Sequence, residues 1–199
     1  MNPDRTAWPN LYLVGFMGTG KSTVGQYVAK EIGLRFVDVD NEIEQQSGTS
    51  ILKIFAEEGE AAFRNMERIF IEKGHPDKNC VVACGGGLVV QPGMLELLKQ
   101  RGIIISLHSS PEQILERTRS NMKRPLLNVR NPRKRIQELL NERESIYRQA
   151  GPYIMNQGRS VEEVAADVQK AFKREVMQFH CNPQNARQSL EQRQKGQTT

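Results

Sequence analysis

Gly15-Phe16-Met17-Gly18-Thr19-Gly20-Lys21-Ser22, with Thr23 behind it, lies between an apolar run, Leu11-Tyr12-Leu13-Val14, and a segment whose Val24, Val28 and Ile32 repeat at helical spacing. The run reads as a buried strand, the segment as a helix, and the glycine-rich octet as the turn joining them. Strand, turn and helix in that order are what a phosphate-binding loop requires. Glycines let successive backbone N–H groups face one concavity that side chains would otherwise fill. The helix beginning near Lys21 adds its positive end, Lys21 an ammonium for the outer phosphates, and Ser22 a hydroxyl for Mg²⁺. An ordinary glycine-rich turn is the alternative, but eight positions restrict far more than a lone pair of glycines.

Outward from this loop, the chain of 199 residues is long enough for one domain with a substantial core. No apolar stretch approaches the roughly 18 residues of a membrane span. The start, Met1-Asn2-Pro3-Asp4-Arg5, lacks the apolar centre of a secretory leader, so none is expected. Cys80, Cys84 and Cys181 show neither paired nor metal-ligand spacing, which fits a reduced, cytoplasmic setting. The formal charge is +5, but residues 173–199 carry a surplus of three, leaving +2 for the body. Nucleic acid is therefore not an expected partner of the body. From about His180 the chain is rich in Gln, Asn, Arg and Ser, and 176–199 reads as a basic, disordered tail.

Within the body, strand and helix alternate. Arg35 to Asp40 reads as a second strand ending in two carboxylates, and Cys80 to Cys84 as a third, running into Gly85-Gly86-Gly87. Ile103 to Leu107 and Tyr153 to Asn156 supply two more. Helical segments fall between them, the last carrying Val161, Val164, Ala165, Val168, Ala171 and Phe172 at helical spacing. The expected fold is a three-layer α/β/α arrangement around a five-stranded parallel sheet. Ligands then bind beyond the carboxyl ends of the strands, where the phosphate loop, Asp38 with Asp40, and the three glycines all fall.

Phosphoryl transfer to an alcohol needs neutralised phosphates, a metal bridge and a group that orients or deprotonates the acceptor. Asp38 and Asp40 lie two apart, so a strand continuing to Asp40 would face both side chains the same way; capping of a following helix is the competing reading. Arg143 shares a helix face with Leu139 and Tyr147, and Arg64 borders the Phe63, Met66 and Phe70 stripe. Each arginine suits a substrate carboxylate or, equally, a structural salt bridge. The basic segment Arg117 to Arg135 reads as a loop able to close over a nucleotide, or as a solvated loop.

Taken together, Gly15 to Thr23, Phe36 to Asp40, Ile54 to Glu60 with Phe63-Arg64 and Glu67, Gly85 to Gly87, Arg124-Pro125-Leu126-Leu127, and Arg143 with Tyr147-Arg148 closely resemble shikimate kinase. The resemblance covers about residues 10 to 172. It implies a P-loop, nucleoside-monophosphate-kinase-like fold over residues 8–175, with a substrate-binding part at about 40–70 and a lid at about 117–131. The implied reaction is ATP-dependent phosphorylation of the 3-hydroxyl of shikimate, in the chorismate and aromatic amino acid pathway, by a cytoplasmic monomer. Asp40, Lys21 and Arg124 are the implied catalytic groups. Gly18, Thr19, Gly20, Lys21, Ser22, Thr23, Arg117 and Arg124 hold ATP; Asp40, Arg64, Gly85, Gly86, Gly87 and Arg143 hold shikimate; Ser22 and Asp38 serve Mg²⁺. Two departures are visible: where the family usually carries a proline before its last helix, this chain reads Gly158-Arg159-Ser160-Val161-Glu162, and an aspartate common in the preceding strand appears as Asn156. A kinase for another small alcohol, such as gluconate, and a nucleotide-binding regulatory protein without kinase activity are the rival readings.

Overall fold

A computed structural model describes residues 8–119, 127 and 129–181. Five strands, β1 (Asn10–Val14), β2 (Arg35–Asp38), β3 (Cys80–Ala83), β4 (Gly102–His108) and β5 (Tyr153–Met155), form one sheet in the order β2-β3-β1-β4-β5. Every pairing is parallel. The helices are α1 (Lys21–Ile32), α2 (Val39–Ser47), α3 (Ile51–Glu57), α4 (Gly59–Lys73), α5 (Met94–Arg101), α6 (Pro111–Thr118), α7 (Pro132–Ala150) and α8 (Val161–Cys181).

The alternation of side chains along each strand divides the core in two. Leu11 and Leu13 of β1, Val81 of β3, and Ile103, Ile105 and Leu107 of β4 face α1 and α8. Tyr12 and Val14, Val82 and Ile104 face the other way, onto residues of α4, α5 and α7. Because helices cover both faces, β1 is buried at every position, which is why it reads in the sequence as an unbroken apolar run.

Local chemistry sets the helix starts. Ser50, Ser110 and Asn131 accept backbone N–H bonds at the beginnings of α3, α6 and α7, and Pro111 and Pro132 occupy first-turn positions where no amide donor is needed. Two boundaries differ from the sequence reading by more than one residue. β2 stops at Asp38, two residues early, and α2 begins at Val39. α8 continues to Cys181, past the expected limit at 175, because Val176 and Phe179 extend its apolar stripe onto the core. The tail from 182 onward lies outside the described residues.

The strand order decides where a ligand can enter. From β1 the chain moves outward to β2, returns to β3 beside β1, and then crosses to β4 on the other side of β1. Segments leaving β1 and β3 part in opposite directions and open a crevice at their carboxyl ends. Among the described residues, no helix is long and apolar enough to cross a membrane.

Candidate active site

The glycine-rich octet occupies the turn from β1 into α1, as the sequence reading expects. Gly18 and Gly20 adopt φ values of 78° and 91°, a region that disfavours side-chain-bearing residues. Lys21 is 8% exposed and folds back over its own loop, donating from Nζ to the carbonyls of Gly15 (2.9 Å) and Phe16 (2.8 Å). Thr19 bonds the Phe16 carbonyl through Oγ1 (2.8 Å). Ser22 Oγ donates to Asp38 Oδ2 at 2.6 Å, while Asp38 Oδ1 accepts the Asn41 N–H at 3.3 Å.

Asp38 thus caps α2 and addresses the phosphate loop with the same carboxylate. That cap ends the strand, so Asp38 and Asp40 are not strand neighbours on one face; Asp40 sits in the first turn of α2. Both nevertheless line one cleft of about 280 Å³, with Gly18, Gly20, Lys21, Ser22, Thr23, Ala83, Cys84, Gly85, Gly86 and Arg117.

The three glycines after β3 have separate jobs, and none adopts a left-handed φ. A Cβ on Gly85 would meet Glu67 Oε1 and lie 2.8 Å from Asp40 Oδ1. One on Gly86 would lie 2.9 Å from the Met17 backbone nitrogen, against the phosphate loop. One on Gly87 would run into the Arg64 guanidinium, 2.7 Å from Cζ and 2.8 Å from Nη1. The run is glycine because carboxylates, loop and guanidinium all press against it.

Arg64 and Arg143 do not form part of the cleft wall just described; Arg64 lies against Gly87, and Arg143 packs over Phe16 of the phosphate loop. Arg64 donates from Nη1 to Glu67 Oε2 and from Nη2 to Glu60 Oε1, both at 2.7 Å. Arg143, on α7, lies 5.9 Å over the ring of Phe16, and its buried Nη1 has no hydrogen-bond partner. One turn further along α7, the Tyr147 hydroxyl donates to the Gly86 carbonyl at 2.5 Å. Arg117 is exposed and donates to the Gly18 carbonyl at 3.2 Å. Arg124 lies outside the described residues, as do 120–126 and 128 of the expected lid.

Glu67 is the functional residue to which the sequence reading gave no role. It is fully buried, accepts from Arg64 and from Gln91 Nε2 (2.8 Å), and leaves Oε1 without a hydrogen-bond partner. Burial, with the Asp40 carboxylate adding to it, pushes its carboxyl up to about 7 despite the opposing Arg64. The signal was present: Glu67 falls on the buried face of α4 between Phe63 and Phe70, where a carboxylate needs a partner. Burial also raises the Tyr147 phenol to about 12, keeping it a donor, and lifts the Cys84 thiol well above its usual range, so Cys84 is inert.

Ser22 and Asp38 are hard oxygen donors side by side at the start of α1. They suit Mg²⁺, which takes one or two protein oxygens and draws the rest of its shell from phosphate and water. The described residues contain no group of three or more His, Cys, Asp or Glu side chains able to hold a metal.

A family model described as shikimate kinase matches residues 17–173. The chain is 44% identical over 165 residues to shikimate kinase of Thermodesulfovibrio yellowstonii, covering 83% of this chain and 95% of that protein. It is 44% identical over 163 residues to the enzyme of that name from Caldanaerobacter subterraneus, covering 82% and 95%. Among solved structures, shikimate kinase from Acinetobacter baumannii in complex with shikimate superposes with a TM-score of 0.77 at 39% identity, covering 82% of this chain and 92% of that one.

Proposed function

The chain belongs to the shikimate kinase family, an assignment that carries ATP-dependent phosphorylation of shikimate, and from it we propose how the crevice does this work. The observation that carries the reading is the glycine turn: Asp40, the phosphate loop and Arg64 all press against Gly85 to Gly87, beside a cleft lined by Lys21 and Ser22.

Arg64 and Arg143 pair with the carboxylate of shikimate. Arg143 brings a buried donor, Nη1, with no hydrogen-bond partner among the described residues, and an anion satisfies it. Arg64 is already aimed by Glu60 and Glu67, so little of its side-chain freedom remains to be lost on binding. Asp40 orients the 3-hydroxyl and takes its proton as the oxygen attacks the γ-phosphorus; the new O–P bond forms as the bond to the β-phosphate oxygen breaks, and ADP leaves. Lys21 exchanges its two loop carbonyls for phosphate oxygens, and the N–H groups of Gly18 to Thr23 cradle the same phosphates. Ser22 and Asp38 would hold Mg²⁺, which when bound would offset the charge of the phosphates. Arg117 lies on the adenine side and Arg124 closes from the lid.

The domain runs over about 8–181, with its substrate-binding part at 40–70 and the lid at 117–131, and acts as a cytoplasmic monomer. A coupled ADP-release assay over shikimate, gluconate and nucleoside monophosphates tests the reading. Turnover with shikimate alone is expected; equal or faster turnover with gluconate would reject it.

A further inference from the structure

The geometry points to Asn156 as a positioning residue for the nucleotide phosphates, acting through one peptide of the phosphate loop. The inference rests on the reading of that loop as the ATP site. Asn156 follows β5, is 6% exposed, and is fixed by its backbone: its N–H donates to the His108 carbonyl at 2.7 Å and its carbonyl accepts from Ser109 Oγ at 3.0 Å. Gln113 of α6, with its amide oriented to satisfy both ends, donates to that same carbonyl (2.8 Å) and accepts from the Gly158 N–H (3.0 Å). The side chain that remains reaches across the sheet end, and its Nδ2 donates to the Thr19 carbonyl at 2.8 Å.

The Thr19 carbonyl and the Gly20 N–H belong to one planar, trans peptide, so they point in opposite directions. Holding the carbonyl on Asn156 turns the Gly20 N–H away from β5, toward the cleft that Gly20 lines with Lys21 and Ser22. The φ of 91° at Gly20 permits that orientation, and a Cβ there would sit 2.6 Å from Asn156 Nδ2, so the two residues are fitted to each other. A loop amide that is free to rotate meets phosphate with a reorganisation cost; one held in place does not. Asn156 touches neither substrate, yet it sets a donor that does.

Isothermal titration with ADP and, separately, with shikimate tests this on the full chain. Asn156→Ala is expected to weaken ADP about tenfold. Asn156→Asp, the same shape with an acceptor turned on the carbonyl, is expected to weaken it further. Shikimate affinity stays within twofold in both. Repeating the titration at 0.5 M KCl separates a misdirected peptide, whose deficit persists, from a through-space charge effect, which shrinks. ADP binding by Asn156→Asp within twofold of the parent, parallel loss of both ligands, or a deficit abolished by salt would overturn the inference. Should Asn156→Asp not fold, Asn156→Ala decides on the same two affinities. Because ADP binding is read without turnover, failure here is distinguishable from failure of the shikimate reading.

Discussion

Replacing Gly87 with alanine isolates the carboxylate-binding half of the site. The backbone there is not left-handed, so the new methyl acts by bulk alone. It would stand 2.7 Å from Arg64 Cζ and 2.8 Å from Nη1, and the guanidinium must retreat by roughly 1 Å to reach ordinary contact. The retreat breaks at least one of two 2.7 Å charge-assisted bonds, to Glu67 or Glu60, and moves the cation off its substrate position. A hydrogen bond to a charged group is worth about 1.5–3 kcal/mol, so the KM for shikimate should rise roughly 10- to 150-fold, and stability should fall by a similar energy. The KM for ATP should stay within about twofold, since no part of the phosphate loop is touched. In contrast, Gly86→Ala pushes on the Met17 nitrogen and should raise the KM for ATP first. The decisive comparison is Gly87→Ala on an Arg64→Met background, with initial rates measured over a shikimate series. With the guanidinium gone, the added methyl should cost almost nothing. An unchanged shikimate KM in the single variant, or an undiminished penalty in the double variant, would refute the reasoning.

Arg143→Ala should lower kcat/KM for shikimate by about 100-fold or more with only a small fall in the urea midpoint, because among the described residues it loses a contact with the Phe16 ring and no ion pair. A large fall in stability with normal kinetics would instead mark a structural role. Asp40→Asn should reduce kcat by about 10²- to 10⁴-fold, with ADP affinity measured by calorimetry within twofold of the parent. Near-normal turnover would remove Asp40 from the chemistry. For Glu67, the carboxyl lies at about 7 against an ordinary 4.5, so the folded state holds its proton more tightly than the unfolded state. Its contribution to stability is therefore full below pH 4.5 and is lost as pH rises toward 7 and beyond. Urea midpoints of the parent minus Glu67→Gln should decline across that window, and a difference that rises with pH would contradict the assignment.

The phosphate loop was legible because β1 and α1 announce themselves on either side of it. An apolar run buried on both faces and a helical stripe leave the octet no other place. The order of the sheet was not legible, since register and neighbour depend on contacts between distant segments. Asp40 shows where local reading stops. The alternation Phe36-Val37-Asp38-Val39-Asp40 looks like continuing strand, but the Asp38 side chain accepts the Asn41 amide and commits the chain to helix at Val39. Nothing in the sequence distinguishes Gly85 to Gly87 from an ordinary tight turn; the positions of Glu67, Met17 and Arg64 reveal that close approach is the reason. For Arg64, ligand and salt bridge were opposed readings in the sequence. The structure shows the salt bridges, to Glu60 and Glu67, and under the proposed function those acids would also aim Arg64 at the ligand.

The bond from the Tyr147 phenol to the Gly86 carbonyl acts as a ruler. α7 brings one cation and α4 the other, and without a cross-tie the gap between them would drift with every small shift of either helix. By pinning α7 to the turn against which Arg64 rests, that contact would fix the width of the proposed anion cradle. Selectivity among acids of different girth would then be a property of a residue that touches none of them.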